Sequence, residues 1–248
     1  MRYFITFAYN GTSFHGSQSQ PNGNTVQAEM EAAFATILRQ PVPLTFAGRT
    51  DAGVHAEKMV AHFDIDNPLP ANFGGRLNNL LPDTIAVRDI RRVTDETHAR
   101  FDAKLRTYFY RITMRKDPFL CITHTRIKDG LDFGAMNDAS QLLLGKQDFA
   151  SFCRVHTDVK TTICDVHEVG WVQLSDTEAY FVITADRFLR NMVRAVVGTL
   201  FEVGRGKMTS QQFADIIAAH DRCKAGHSAP PEGLSLVEII YPENIYLS

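Results

Sequence analysis

The segment between residues 48 and 55 places an acidic side chain where it could carry out chemistry. It reads GRTDAGVH, and β-like runs flank it at 44–47 and 59–63. Because glycine adopts backbone conformations that other residues resist, the bracketing glycines favour a turn that holds Asp51 and Arg49 at the lip of a cleft. A carboxylate in that position can act as a nucleophile or a base. The alternative is a tight turn in which Asp51 only bonds its own backbone.

Aromatic and basic residues alternate along a second segment, which extends from His98 to Arg111. Successive side chains on a strand point to opposite faces, so Tyr108 and Tyr110 share one face and Phe109 takes the other. Such a strand can offer a stacking surface for a base, with guanidinium groups near the phosphates. A strand that carries ordinary core aromatics has the same pattern.

A third segment, residues 187–194, reads RFLRNMVR and leads into an amphipathic helix predicted over 188–203. On a helical projection Arg190 and Arg194 lie together at the margin of the apolar stripe. An arginine at this border can reach inward to pair with a carboxylate. It can equally extend its charged head into solvent from the edge of a core.

The formal net charge of −2 conceals a segregated charge distribution. Residues 98–116, which include Lys116, carry six Lys or Arg against one Asp, and residues 187–207 carry five against one Glu. The two segments are therefore +5 and +4, and the rest of the chain sums to −11. This pattern favours a basic surface for a polyanion on an acidic body, and a solvated basic face is the alternative.

Cysteine and histidine spacing offers one metal pattern, Cys153-x-x-His156 followed by Cys164-x-x-His167. Zinc sites use such pairs. Residues 162–171 read as a strand, however, and residues three apart on a strand point to opposite faces. We therefore expect no metal, and free thiols in a reducing compartment.

Membrane and secretion signals are not apparent in the sequence. No apolar run approaches the roughly 20 residues that span a bilayer. The N-terminus is too short and too β-like for a secretory signal. Hydrophobic residues make up 44% of the chain and charged residues 22%, as in an ordinary globular protein. We expect a cytoplasmic protein that makes no membrane contact.

Strand-like and helix-like periods alternate along the chain, and the order of elements occurs twice. Strands are predicted at about 2–9, 59–65, 85–93, 105–114, 162–174, 179–185 and 234–240, and helices at about 25–38, 73–80, 133–144, 188–203 and 209–220. This order predicts an α+β fold of two similar lobes with mostly antiparallel sheets flanked by helices. The lobes are expected at 1–103 and 104–248.

The octet at 48–55 resembles the signature of the TruA-type tRNA pseudouridine synthases, and other segments match this family in order along essentially the whole chain. They read NGTSFHG at 10–16, TVQ at 25–27, LNNLLPD at 77–83, DFASF at 148–152 and APPEGLSLV at 229–237. Two positions depart from the pattern. Ser17 stands where the family usually has Trp, and Asn191 where His is common.

The resemblance implies isomerisation of uridine to pseudouridine at positions 38, 39 and 40 in the anticodon arm of tRNA. It also implies an active-site cleft between two lobes, and a homodimer that presents one tRNA to both subunits. The reaction breaks the bond between C1′ and N1, turns the base and rejoins it through C5. Because no redox change occurs and no group is lost, the reaction needs no cofactor.

By the same resemblance, Asp51 is the catalytic carboxylate, which either attacks C1′ or removes a sugar proton to give a glycal. Arg194 is its charge partner. Tyr108 stacks on the target base and can assist proton removal from C5. Arg49 takes the space left when that base is extruded from the arm. The remaining basic residues of the predicted RNA-binding set, expected to contact phosphates, are Arg100, Arg190 and Lys116.

Two other functions are compatible with parts of this pattern. A non-catalytic RNA-binding module would explain the basic and aromatic segments, but it gives Gly48–Val54 and Arg194 no purpose. A hydrolase that uses Asp51 with His55 or His62 would explain an activated carboxylate but not the stacking strand.

Overall fold

The computed structural model describes residues 1–21, 23–128, 130–154 and 160–247. Ten strands and five α-helices lie within these ranges. The strands are β1 (Arg2–Tyr9), β2 (Thr45–Phe46), β3 (His55–Asp64), β4 (Ile85–Val93), β5 (Leu105–Thr113), β6 (Thr125–Arg126), β7 (Gly145–Asp148), β8 (Ile163–Gln173), β9 (Glu178–Ala185) and β10 (Leu234–Ile240). The helices are α1 (Val26–Leu38), α2 (Phe73–Leu80), α3 (Phe133–Gln141), α4 (Met192–Gly204) and α5 (Ser210–Ala219). In the described ranges none of the helices combines the length and the apolar character needed to cross a membrane.

The chain divides into two compact units, residues 1–104 with 235–248, and residues 105–234. The C-terminal segment belongs to the first unit because β10 pairs in parallel with β3, and because the Tyr241 hydroxyl donates to the carbonyl of Ala99. The sequence-based division placed residues 235–248 in a C-terminal lobe of 104–248, whereas here they group with residues 1–104. The periodicity of a strand shows that it is a strand, but not which distant strand it will pair with.

In the first unit the strand order is β4-β1-β3-β10, and β2 also pairs with β3. β1 runs antiparallel to both β3 and β4. Phe34 of α1 contacts Phe63 of β3 edge-on at 4.9 Å, and it contacts Phe73 of α2 at 5.1 Å. These aromatic contacts attach both helices to one face of the sheet, where Ile5 and Phe7 are fully buried.

In the second unit the strand order is β5-β9-β8-β7, and β6 pairs in parallel with β5. The β5–β9, β8–β9 and β7–β8 pairs are antiparallel, which confirms the predicted α+β class with mostly antiparallel strands. Helix α4 is buried on almost every side. Its Phe201 lies 5.8 Å from the Trp171 ring and 6.0 Å from the Tyr110 ring, which anchors α4 to β8 and β5.

Helix α4 begins four residues later than its hydrophobic pattern predicts, at Met192 instead of residue 188. Asn191 has φ 65°, in the left-handed region, and therefore interrupts any helix that starts before it. Asparagine is one of the few residues other than glycine that tolerate this conformation. Its side-chain amide here makes a long-range hydrogen bond, donating to the Ser228 hydroxyl at 2.7 Å. The predicted helical pairing of Arg190 with Arg194 is consequently wrong, since Arg190 precedes the helix.

Candidate active site

The loop that carries Asp51 lies between β2 and β3, and main-chain groups close it. The Val54 amide donates to the Asp51 carbonyl at 3.2 Å, and the Gly53 amide donates to the Phe14 carbonyl at 3.3 Å. Gly53 has φ 78°, where a side chain would be strained. Gly48 has no such conformation, and a Cβ there would meet no atom within 4 Å. Gly53 is thus the glycine that the turn requires.

Thr50, in the middle of the loop, is anchored to the body of the first unit. Its hydroxyl lies 2.8 Å from the Tyr9 hydroxyl, inside the unit. Its amide donates to the Ser17 hydroxyl at 2.9 Å, and its carbonyl accepts the Ser17 amide at 3.2 Å. Gly16 permits this approach, because it has φ 100° and a Cβ there would lie 2.9 Å from the Thr50 carbonyl. The residues on either side of Asp51 are therefore held in place independently of its carboxylate.

Ser17 is a supporting residue that the sequence interpretation did not assign. It is fully buried and makes two hydrogen bonds to Thr50, next to Asp51. The departure of Ser17 from the usual Trp was the one feature of the sequence that pointed to it. A buried hydroxyl that accepts a loop amide fixes the backbone of that loop.

We expect Ser17→Ala to lower both stability and turnover. The change leaves the buried Thr50 amide without its acceptor, which costs roughly 1–3 kcal/mol. Turnover should fall about tenfold or more, because small displacements of a catalytic group are costly. Thermal unfolding and single-turnover rates measure the two effects. Ser19→Ala, at an exposed position in the same segment, is the matched control and should change neither. Wild-type turnover in Ser17→Ala would show that the hydrogen bond between the Ser17 hydroxyl and the Thr50 amide is not needed for catalysis.

Asp51 is half-buried, and Arg49, two residues earlier, is exposed. Thr50 between them is buried and bound to the interior. The loop therefore presents a cation to solvent and holds a carboxylate partly out of it. This placement agrees with a loop that offers both side chains to a ligand.

The two histidines considered for a hydrolase, His55 and His62, both accept hydrogen bonds from main-chain amides. His55 is buried, and its Nδ1 accepts the Gly11 amide at 3.0 Å. His62 lies seven residues further along β3, about 23 Å from His55 at ~3.3 Å per residue. Burial, together with the nearby charge of Arg2, lowers the pKa of His62 to about 4. These contacts give both histidines a structural role in the first unit.

In the second unit, β5 places Tyr108 and Tyr110 on one face and Phe109 on the other, as predicted. Tyr110 is a core residue whose hydroxyl contacts Thr125 at 2.7 Å and donates to the carbonyl of Pro230 at 3.0 Å. Burial raises its pKa well above the usual range. Tyr108 is 9% exposed and meets the ring of Phe188 edge-on at 5.0 Å. The rings of Tyr108 and Phe188 thus pack together at the margin of the core of the second unit.

Arg194 projects from the first turn of α4 and is half-buried. Its Nε donates to the carbonyl of Ala229 at 2.7 Å, and the Ala229 amide donates back to the Arg194 carbonyl at 2.8 Å. Ala229 belongs to the segment that reads APPEGLSLV. This reciprocal pair of bonds ties that segment to α4 and orients the guanidinium.

The other predicted RNA-binding residues lie at the surface in separate places. Arg100, in the first unit, and Arg190 and Lys116, in the second unit, are all exposed. Arg190 lies in the turn before α4, and its carbonyl accepts the Arg154 amide at 3.1 Å. Lys116 lies in the loop after β5. Exposed cations of this kind suit phosphate contacts, which position a nucleic acid without reading its sequence.

The cysteine and histidine pattern that was considered for zinc is divided by the strand β8, which carries Cys164 and His167. In β8 Cys164 is fully buried while His167 is exposed, so the prediction that they point to opposite faces is confirmed. Burial raises the pKa of the Cys164 thiol to about 12, which keeps it protonated. His156 lies outside the described residues. Within the described ranges no group of three metal-binding side chains comes together.

Comparison with known proteins identifies the family. Residues 139–242 match the family described as tRNA pseudouridine synthase. Among curated relatives, a tRNA pseudouridine synthase A from Parabacteroides distasonis is 52% identical, with 99% of this chain and 98% of the relative aligned. Proteins of the same name from Bacteroides thetaiotaomicron and Porphyromonas gingivalis are 51% and 50% identical, over 99% of this chain and 92% and 99% of theirs. With half of its residues identical to these relatives along nearly its whole length, the chain belongs to the TruA-type tRNA pseudouridine synthases.

Proposed function

We propose that this protein isomerises uridine to pseudouridine in tRNA, at positions 38, 39 and 40 of the anticodon arm. Relatives with the name tRNA pseudouridine synthase A align with nearly the whole chain. The observation that carries the proposal is the conformation of the loop that holds Asp51. The Asp51 carboxylate is half-buried, and hydrogen bonds to Ser17, Tyr9 and Phe14 fix the loop residues near it.

The chemistry assigns Asp51 the first step. Its carboxylate either attacks C1′ as the C1′–N1 bond breaks, or removes a sugar proton to give a glycal. The detached base turns, and C5 forms a bond to C1′ as the bond between Asp51 and C1′ breaks or, on the glycal route, as the sugar carbon regains the proton held by Asp51. The proton on C5 then leaves and N1 gains one, so atoms and electrons balance without a cofactor. Each route requires a carboxylate that is fixed in place before the substrate arrives.

The second unit supplies the remaining parts of the proposed site. Tyr108 stacks on the reacting uracil, and Arg194 provides the positive charge that compensates Asp51 where water is excluded. Arg49 occupies the gap in the arm when the base is extruded. In this proposal Arg100, Arg190 and Lys116 contact phosphates.

The test uses an unmodified tRNA transcript that carries tritium at C5 of its uridines. Bond formation at C5 expels that hydrogen, so tritium release reports isomerisation directly. Three further transcripts, each with cytidine at one of positions 38, 39 and 40, assign the release to individual nucleotides, and a fourth carries cytidine at all three positions. Release that persists when all three positions are cytidine would contradict the assignment to this arm. Binding without release would support the non-catalytic RNA-binding module.

Arg194 and Arg100 are expected to fail in different ways. Arg194→Ala should lower the single-turnover rate while tRNA affinity stays close to wild type, because its charge acts on the reacting groups. Arg100→Ala should weaken binding and reduce the slope of log K against log salt by about one, because one counterion fewer is released. Single-turnover rates and binding constants over a range of salt concentrations separate the two. If Arg194→Ala changed affinity alone, its pairing with Asp51 would be refuted.

Two further expectations accompany this function. A tRNA-modifying enzyme meets its substrate in the cytoplasm, so we place the protein there. The homodimer that the family resemblance implies stays a prediction.

A further inference from the structure

Three rings in contact form a cluster that begins inside the first unit and ends in solvent. The rings of His62 and His98 meet edge-on at 4.6 Å and 64°, and the rings of His98 and Phe101 are 4.2 Å apart with a 34° tilt. His62 is buried, whereas Phe101 is 74% exposed. The ring cluster therefore presents a large aromatic face to solvent, and His98 packs against Phe101 on the protein side.

The turn of residues 98–102 holds Phe101 in place before any ligand binds. The Nδ1 atom of His98 accepts the amides of Arg100 at 3.1 Å and Phe101 at 3.4 Å. The Asp102 carboxylate accepts the His98 amide at 2.7 Å, and the Asp102 amide donates to the His98 carbonyl at 3.1 Å. Ala99 is buried, and its amide donates to Nδ1 of His62 at 3.1 Å. A ring held in this way loses little conformational entropy on binding.

The histidine at the centre of the turn is neutral near pH 7. Burial and the nearby charge of Arg2 lower its pKa below the ordinary value for histidine. In a neutral imidazole Nδ1 can accept the two amides, so the turn and the ring cluster persist at physiological pH.

A cation lies beside the exposed ring. The guanidinium carbon of Arg100 is 5.8 Å from the centre of the Phe101 ring, and Arg100 and Lys104 are both exposed. Aromatic faces with neighbouring cations bind single-stranded nucleic acid, because every base has a face that can stack and carries a phosphate nearby. A second copy of this chain fits less well, because covering Phe101 with protein would bring four exposed charged residues that lie near it in the sequence, Asp95, Glu96, Arg100 and Lys104, toward a dry interface.

The ring cluster is attached to β3 at His62, about 23 Å along the strand from His55, the residue at which β3 begins after the Asp51 loop. In the proposed function the reacting uracil stacks on Tyr108. A base on Phe101 therefore belongs to a different nucleotide from the uridine at Asp51.

We propose that Phe101 is a stacking site for an unpaired base of the tRNA other than the reacting uridine, with Arg100 at the adjacent phosphate. This inference rests on the proposed function, because it takes tRNA as the ligand. The site contributes to affinity and orientation and does not take part in bond making. Unpaired bases are the target because those within a helix are already covered on both faces.

Tryptophan fluorescence tests the contact directly. The chain has one tryptophan, Trp171, which is buried and provides a constant background. In full-length Phe101→Trp, titration with an unmodified tRNA transcript should quench the added emission in a saturable way. Leu174→Trp is the matched control: Leu174 is 64% exposed but lies beside Asp176 and Glu178 in the second unit. Its added emission should not change.

Affinity measurements on Phe101 variants complete the test. Phe101→Ala and Phe101→Leu should both raise the Kd for tRNA between about 5-fold and 160-fold, the range equivalent to ~1–3 kcal/mol of stacking. Phe101→Tyr should restore binding. The single-turnover rate at saturating tRNA should stay within a few-fold of wild type in every variant. Equal affinity of Phe101→Leu and wild type would show that apolar bulk, not an aromatic face, matters.

The outcomes separate this proposal from the one it rests on. If wild type binds and modifies tRNA while the emission of Phe101→Trp is unchanged at saturation, the stacking site is refuted and the function stands. If wild type neither binds nor modifies tRNA, both proposals fail. If sedimentation shows that Phe101→Ala changes the oligomeric state, Phe101 is a contact between copies and the stacking site is also refuted.

Discussion

Asp51→Asn should abolish isomerisation while the fold and most of the tRNA affinity remain. The amide is nearly isosteric with the carboxylate, but it can neither attack C1′ nor remove a sugar proton. Because loss of a catalytic nucleophile typically costs more than a thousandfold, turnover should fall below roughly a thousandth of wild type. Tritium release under single-turnover conditions measures the rate, and filter retention measures the binding.

Two comparison variants distinguish chemistry from general damage. Asp66→Asn makes the same chemical change at an exposed position in the first unit, and it should leave the rate unchanged. Asp51→Glu keeps the charge but moves it by one methylene group, so we expect a loss of about a hundredfold. Turnover of Asp51→Asn above a thousandth of wild type would rule out Asp51 as the catalytic carboxylate. The loop would then be a structural turn.

The second large effect is expected at Tyr108. Tyr108→Ala removes the ring that is proposed to stack on the target uracil, which should weaken binding by ~1–3 kcal/mol and nearly eliminate turnover. Because Tyr108 is also 9% exposed and packs on Phe188, the change should lower stability as well. Thermal unfolding measured beside the rate shows how much of the loss is structural.

Tyr108→Phe separates the ring from its hydroxyl. It keeps the stacking face and should restore binding, so any residual rate defect measures the part of the hydroxyl in proton transfer. Phe109→Ala is a control on the same strand, since Phe109 lies on the opposite face and stacks on Tyr180 at 4.6 Å. It should retain most of the turnover. Wild-type turnover in Tyr108→Ala would refute the assignment of this tyrosine to the substrate.

The sequence by itself determined the family, the α+β class and the order of the longer elements, but not the short strands β6 and β7. Strand and helix periods are local properties, so alternation along 2–9 and helical spacing along 26–38 were sufficient to locate β1 and α1. The capping pattern at Thr209 and Gln212 is equally local, and both of its hydrogen bonds form. The octet at 48–55 identified the candidate carboxylate because this combination of residue types is specific to the family.

Long-range pairing decided the rest. Three such contacts join residues 33 or more positions apart: the pairing of β10 with β3, the hydrogen bond from the Thr50 amide to Ser17, and the contact of the His62 and His98 rings. No local period encodes such contacts, because they depend on how the sheet and loops fold together. Arg190 shows the same limit over a shorter distance. The apolar pattern begins before Arg190, at residue 188, but the left-handed backbone of Asn191 prevents the helix from beginning before Met192.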